Sequence, residues 1–138
     1  MRRLDQGMAR DAALLLPEGD PARAKELRTR FRRLPVQLRT SGLAATYAFL
    51  AARSGTSGSD PLGRSYADVA QQVRARLADA GLLPAEVRTA AAPAVHRTVL
   101  RELGEMDTAR YARATAEVAL LFGWLRRLAE AVYVEEES

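Results

Sequence analysis

Apolar residues recur at helical spacing along almost the whole chain, and the alternating pattern of a half-buried β-strand is nearly absent. The last segment is the clearest case, because Asp107 is a good N-cap and a long apolar stripe follows it. The stripe consists of Tyr111, Thr115, Val118, Phe122, Leu125, Ala129 and Val132. The pattern predicts a long helix that lies along the core of an all-α bundle.

Proline and glycine residues divide the rest of the chain into further helices. A first helix is expected over about residues 2–15, and a second has Pro21 at its first position, a favoured start. Ser65 and Asp68 form a variant of a capping box, which predicts the start of a helix that ends at Gly81. Shorter helices are expected to open at Pro84 and Pro93.

The chain has neither an internal repeat nor a visible domain boundary. We therefore expect residues 1–138 to form a compact single-domain all-α bundle of about six helices. A Gly/Ser-rich loop is predicted at 54–63, and the chain ends in an acidic tail at 135–138. Since no apolar stretch approaches the roughly 18 residues that a membrane span needs, no membrane association is expected.

The segment from Arg32 to Arg53 departs from a simple helical pattern. Pro35 lies inside the apolar spacing, so the sequence predicts either a bend there or the start of a new helix. Gly42 allows a second break, after which an apolar helix carries no charge until Arg53. Such a segment is typical of a bend or of a presented surface.

Positive charge is concentrated in arginine. The formal net charge is +4, and Lys25 is the only lysine. Arginine binds phosphate at two points, which lysine does not do. On one helix, Lys25, Arg28, Arg32 and Arg39 fall within about 60° of each other. This spacing fits contacts to a nucleic-acid backbone and also a solvated helix face, and both interpretations stay open.

A second surface is apolar. Leu120 and Trp124 lie off the core stripe of the last helix, and Arg113 and Arg127 share their side. Tryptophan and arginine are enriched at the centres of protein interfaces, so Leu120 and Trp124 are candidate interface residues. The alternative is that another helix of the same bundle covers Trp124.

Residues for catalysis or metal binding are scarce. The chain has no cysteine and one histidine, His96, so neither a nucleophile–base pair nor a zinc site is readable. We predict no catalytic residue, no metal ligand and no cofactor. The protein is therefore expected not to be an enzyme.

Two segments together resemble a known family, the small all-helical subunit of the Cmr-type (type III-B) CRISPR RNA-guided effector complex. The first has the family's basic–Leu-Pro, Gly-Leu and Ala-Phe-Leu pattern, with Ser41 where the family often has asparagine. It comprises Arg33-Leu34-Pro35, Gly42-Leu43 and Thr46-Tyr47-Ala48-Phe49-Leu50. The second comprises Tyr111, Thr115, Trp124-Leu125-Arg126-Arg127 and Ala129-Glu130-Ala131.

The resemblance implies a non-catalytic subunit of a cytoplasmic antiviral complex. Copies of it would stack beside the backbone subunits, bridge to the large subunit and line the channel that holds guide RNA and target RNA. The matching segments contribute Arg33, Arg39, Arg126 and Arg127 as RNA-facing residues, and the charge pattern adds Arg32. The alternatives are the small subunit of a Csm-type effector, a helix-turn-helix DNA-binding regulator and a small helical enzyme.

Overall fold

The computed structural model describes residues 6–10, 21–54 and 61–132, and all the regular structure in these ranges is helical. Residues 6–10 form α1, the described part of the helix predicted over 2–15. The other helices are α2 (Pro21–Ser41), α3 (Leu43–Arg53), α4 (Pro61–Asp79), α5 (Ala94–Glu105) and α6 (Thr108–Val132), and a 3-10 turn at Ala85–Arg88 joins α4 to α5. The predicted all-α fold of about six helices is confirmed.

The predicted stripe of α6 forms the centre of the core. Val118, Phe122 and Leu125 are fully buried, whereas the side chain of Val132 lies outside the described residues. Asp107 caps the helix as predicted, because its Oδ1 accepts a hydrogen bond from the backbone N–H of Arg110 at 2.8 Å. Helix α6 packs most extensively on α2, and α3 packs on α4 and α5.

Helices α2 and α6 run antiparallel. Near the start of α6, the Tyr111 hydroxyl accepts a hydrogen bond from the backbone N–H of Ala44, just beyond the end of α2, at 2.9 Å. Near the end of α6, Glu130 contacts Arg32, in the middle of α2, at 3.2 Å. The two segments that carry the family resemblance therefore lie side by side.

Pro35 does not start a new helix, because α2 is continuous from Pro21 to Ser41 with this proline inside it. The break comes at Gly42, with φ 92° and ψ 165°, a region of the backbone map that essentially only glycine occupies. Gly42 has no side chain to cap α3, and the Tyr111 hydroxyl supplies a distant acceptor for the first turn. The glycine and the tyrosine therefore form one joint between α2, α3 and α6.

The Gly/Ser-rich loop predicted at 54–63 ends earlier than predicted. Helix α4 begins at Pro61, so residues 61–63 belong to the helix. Proline at the first helical position is favoured because its missing N–H would have no partner there. The capping-box prediction is also wrong: Ser65 and Asp68 lie inside α4, and Ser65 is buried. Residues 55–60 and the acidic tail at 135–138 lie outside the described residues.

Candidate interaction surfaces

The outward face of α2 carries exposed arginines around an exposed valine. Arg32, Arg33 and Arg39 are all exposed, and Val36 between them is 45% exposed. We call these four residues the basic surface. Helical geometry places Arg39 about 10 Å along the axis from Arg32 on nearly the same side. Arg28, which also belongs to the predicted basic stripe, is only half-exposed, and the side chain of Lys25 lies outside the described residues.

Helix α6 borders the basic surface through an ion pair. The Nε of Arg32 donates to Oε2 of Glu130 at 3.2 Å, and both side chains are about half exposed. Arg126 is exposed and lies one helical turn before Glu130, on nearly the same side of α6. The fold thus brings Arg126 to the side of α6 that meets the basic surface, although 94 positions separate Arg32 from Arg126 in the sequence (126 − 32).

Arg127 belongs to a different side of α6. Its guanidinium lies over the ring of Trp124, 5.6 Å from the ring centre, in a cation–π contact. Trp124 is half-buried against the core, and Leu120, one turn before it, is 49% exposed. We call Leu120, Trp124, Arg113 and Arg127 the apolar surface. The bundle covers Trp124 in part and leaves Leu120 in solvent.

A buried polar cluster joins α3, α4 and α5. Arg74 of α4 is buried, and its Nη1 donates to the hydroxyl of Tyr47 at 2.9 Å while its Nε donates to the Val87 carbonyl at 3.2 Å. The Tyr47 hydroxyl lies 2.7 Å from Nδ1 of His96. Because a guanidinium only donates, the Tyr47 hydroxyl accepts from Arg74, and it can donate its own proton to Nδ1 of His96. That arrangement needs a neutral His96 with its proton on Nε2.

Sequence reasoning missed this cluster because an arginine in a helix is most often exposed. One signal was present: Arg74 follows Tyr66 and Ala70 at intervals of four residues, so all three lie on one side of α4. The structure buries Tyr66 and Ala70 on that side. The cluster ties three helices together. It is poorly placed for chemistry on a substrate, because the Tyr47 hydroxyl belongs to a side chain that is only 1% exposed.

The His96 interaction predicts a pH dependence of stability. Burial and then the charge of Arg74 lower the pKa of His96, so the unfolded chain binds a proton more readily than the folded one. The free energy of unfolding should therefore be highest above the ordinary histidine pKa. It should fall as the pH drops below about 6.5, by at most about 1.4 kcal/mol per pH unit. Urea unfolding between pH 5 and pH 8 measures this.

The matched control for that measurement is the His96→Gln variant, which has no titrating group at this position. Groups common to both proteins cancel in the difference between the two curves, Asp68 among them, whose pKa is raised by burial. The difference should have a positive slope with pH below about 6.5. Parallel curves would contradict the inferred protonation state of His96.

The described residues offer little for metal or membrane binding. No group of three or more His, Asp or Glu side chains in this part of the chain is arranged to hold a metal ion. None of the described helices combines the length and the apolarity needed to cross a bilayer. What the described chain presents is a pair of arginine-bearing surfaces on one helix pair.

A protein-family model described as CRISPR-associated protein (Cas_Cmr5) matches residues 4–132, nearly the whole chain. The chain belongs to this family. The Cas_Cmr5 match confirms the resemblance, and it makes the protein a small Cmr-type subunit that assembles into a CRISPR effector complex. No curated protein and no solved structure matches the chain. The Cas_Cmr5 match spans both segments of the resemblance, which α2 and α6 bring together.

Proposed function

We propose that this protein is a non-catalytic small subunit of a type III-B interference complex in the cytoplasm, where it serves antiviral defence. It packs against the backbone subunit, the large subunit and copies of itself, and it contacts the backbone of guide RNA and target RNA. The observation that carries this proposal is the antiparallel pairing of α2 with α6. This pairing supports two separate surfaces, one rich in arginine and one apolar.

The basic surface is suited to phosphates and not to bases. Arg32 and Arg39 lie about two turns apart on nearly the same side of α2, and the adjacent Arg33 lies about 100° around the helix from Arg32, which fits contacts along a backbone. In a guided complex, base pairing reads the sequence, so the protein needs only backbone contacts. Arg32, Arg33, Arg39 and Arg126 are the RNA-facing residues that we favour. Arg127, also predicted to face RNA, is stacked on Trp124 and fits the apolar surface better.

The apolar surface is the proposed protein contact. Leu120 is one of two large apolar side chains that are strongly exposed among the described residues, and the Arg127–Trp124 stack lies beside it. Aromatic and arginine side chains around an apolar centre are typical of interface hot spots. Assembly with neighbouring subunits would cover Leu120 and the exposed part of Trp124.

The buried face of α3 weighs against the helix-turn-helix alternative. Helix α3 follows the break at Gly42, where a recognition helix would lie, but Leu43, Tyr47 and Leu50 are buried in the core. Its exposed positions before Arg53 are alanines, which lack hydrogen-bonding groups for base edges. The Cas_Cmr5 match likewise weighs against the other alternative, a small subunit of a Csm-type effector.

The RNA contact is tested by replacing Arg33 and Arg39 with alanine. In the assembled complex, target-RNA affinity should fall about fivefold or more at low salt. The slope of log K against log salt should become shallower by about 1 for each phosphate that the protein no longer neutralises. The double variant R97A/R101A is the matched control, since it removes two arginines of α5, away from the basic surface. Equal affinities and slopes for R33A/R39A and the unmodified complex would remove the RNA-contact proposal.

A further inference from the structure

One acidic side chain stands at the edge of the basic surface. Glu130 of α6 reaches across to α2 and accepts a hydrogen bond from Nε of Arg32 at 3.2 Å. The exposed fractions of the two side chains are 54% for Arg32 and 41% for Glu130. Arg126 lies one turn away from Glu130 on the same helix. The carboxylate therefore lies among the arginines proposed to face RNA.

The ion pair between Arg32 and Glu130 contributes little to the stability of the fold. Both charges remain largely hydrated, and exposed pairs of this kind contribute little to folding because water and salt screen them. The helix pair is already held by buried side chains such as Phe31, Leu34 and Phe122. The larger consequence of Glu130 is electrostatic, because it cancels one positive charge where a phosphate would approach.

The contact also uses a particular edge of the guanidinium. Arginine offers two edges for two-point binding of an anion, and one of them includes Nε. Glu130 is bound at Nε, so a phosphate that approaches this edge must displace the carboxylate. The opposite edge, formed by the two terminal nitrogens, remains available but lies within reach of the same negative charge.

We propose that Glu130 attenuates the binding of RNA backbone at the basic surface by competing with phosphate for Arg32. The inference rests on the proposed RNA contact and adds its regulation. Phosphate contacts supply affinity without sequence information, so an over-strong basic surface would hold RNA regardless of pairing. A built-in carboxylate keeps this contribution small and leaves discrimination to the guide.

The alternative role for Glu130 is to orient Arg32 and so to strengthen RNA binding. Attenuation is favoured because the carboxylate already binds the Nε edge of Arg32, which a phosphate would otherwise use for two-point binding. Orientation would instead require that Glu130 leave this edge free for the phosphate. The two roles predict opposite signs for a variant that keeps the side-chain shape and removes the charge.

That variant is Glu130→Gln, whose amide oxygen still accepts from Arg32. In the assembled complex, E130Q should bind a single-stranded target RNA about threefold or more tightly at low salt, with a salt slope steeper by up to about 1. E105Q on α5 makes the same change of charge at another exposed position and should leave both quantities unchanged. Unchanged or weaker binding by E130Q would overturn the inference.

A double-mutant cycle separates competition at Arg32 from a general gain in charge. In an R32A background, E130Q should change RNA affinity by less than about twofold, because the contested guanidinium is gone. A full effect of E130Q without Arg32 would contradict competition for that side chain. Failure of the RNA contact itself is distinguishable, since it would appear as R33A/R39A binding RNA as the unmodified complex does.

Discussion

Replacing Gly42 with alanine should lower the free energy of unfolding by about 1–3 kcal/mol. Gly42 has φ 92° and ψ 165°, a conformation that L side chains rarely adopt. A methyl group there would meet the Tyr111 hydroxyl at an ordinary van der Waals distance, so the cost comes from the backbone and not from a clash. Chemical denaturation of the purified subunit measures the change.

Gly123→Ala is the matched control for that experiment. Gly123 lies inside α6, and a methyl group built on it meets nothing within 4 Å. Alanine should stabilise the protein there by roughly 0.5–1 kcal/mol, because glycine is unfavourable in a helix interior. The same chemical change is therefore expected to have opposite signs at the two positions. A G42A protein as stable as the unmodified one would contradict the strained junction.

The junction at Gly42 matters for function because it sets the orientation of α2 relative to α3 and α6. The Tyr111 hydroxyl bonds to the first turn of α3 and lies close to Gly42, so α6 holds both helices at one point. The basic surface lies on the α2 side of this point, and the apolar surface lies on α6. A shift at Gly42 would change how the two surfaces are presented to RNA and to neighbouring subunits.

The regular parts of the fold were predictable because their signals are local. Asp107 caps α6, and the stripe through Val118, Phe122 and Leu125 is buried as expected. The start of α4 was predicted too late, because a Gly/Ser-rich stretch precedes Pro61 and Ser65 resembled a cap. Ser65 is instead buried within the helix, a position that depends on tertiary packing and not on local preference.

The residues of the candidate surfaces could be predicted from the sequence, but the contacts that join them across helices could not. Helical spacing placed Arg32 and Arg39 on one side of a helix, and the family resemblance added Arg33; all three are exposed. The ion pair between Arg32 and Glu130 did not, because 98 positions separate the two residues and only the packing of α2 on α6 joins them. The buried role of Arg74 was hidden for a similar reason, since its partners Tyr47 and Val87 lie on other elements.

Replacing Leu120 with glutamate should weaken assembly into the effector complex and leave the isolated fold intact. Leu120 is 49% exposed, so its side chain contributes little to the bundle core, and glutamate is a good helix former. A charge at the centre of a protein interface must be desolvated when the partner binds. We expect a loss of at least about 2 kcal/mol, roughly thirtyfold in Kd, measured by reconstitution with the other subunits.

Val36→Glu is the control for L120E, because it places the same charge on the basic surface. Val36 is the other strongly exposed large apolar side chain among the described residues, at 45%. A glutamate there lies three or four residues from Arg32, Arg33 and Arg39, so it should neutralise part of the basic surface. V36E should weaken RNA binding and leave assembly unchanged. L120E should weaken assembly, and the fraction of complex that does assemble should bind RNA with unchanged affinity. Loss of assembly by V36E, or full assembly by L120E, would contradict the division of the helix pair into an RNA surface and a protein surface.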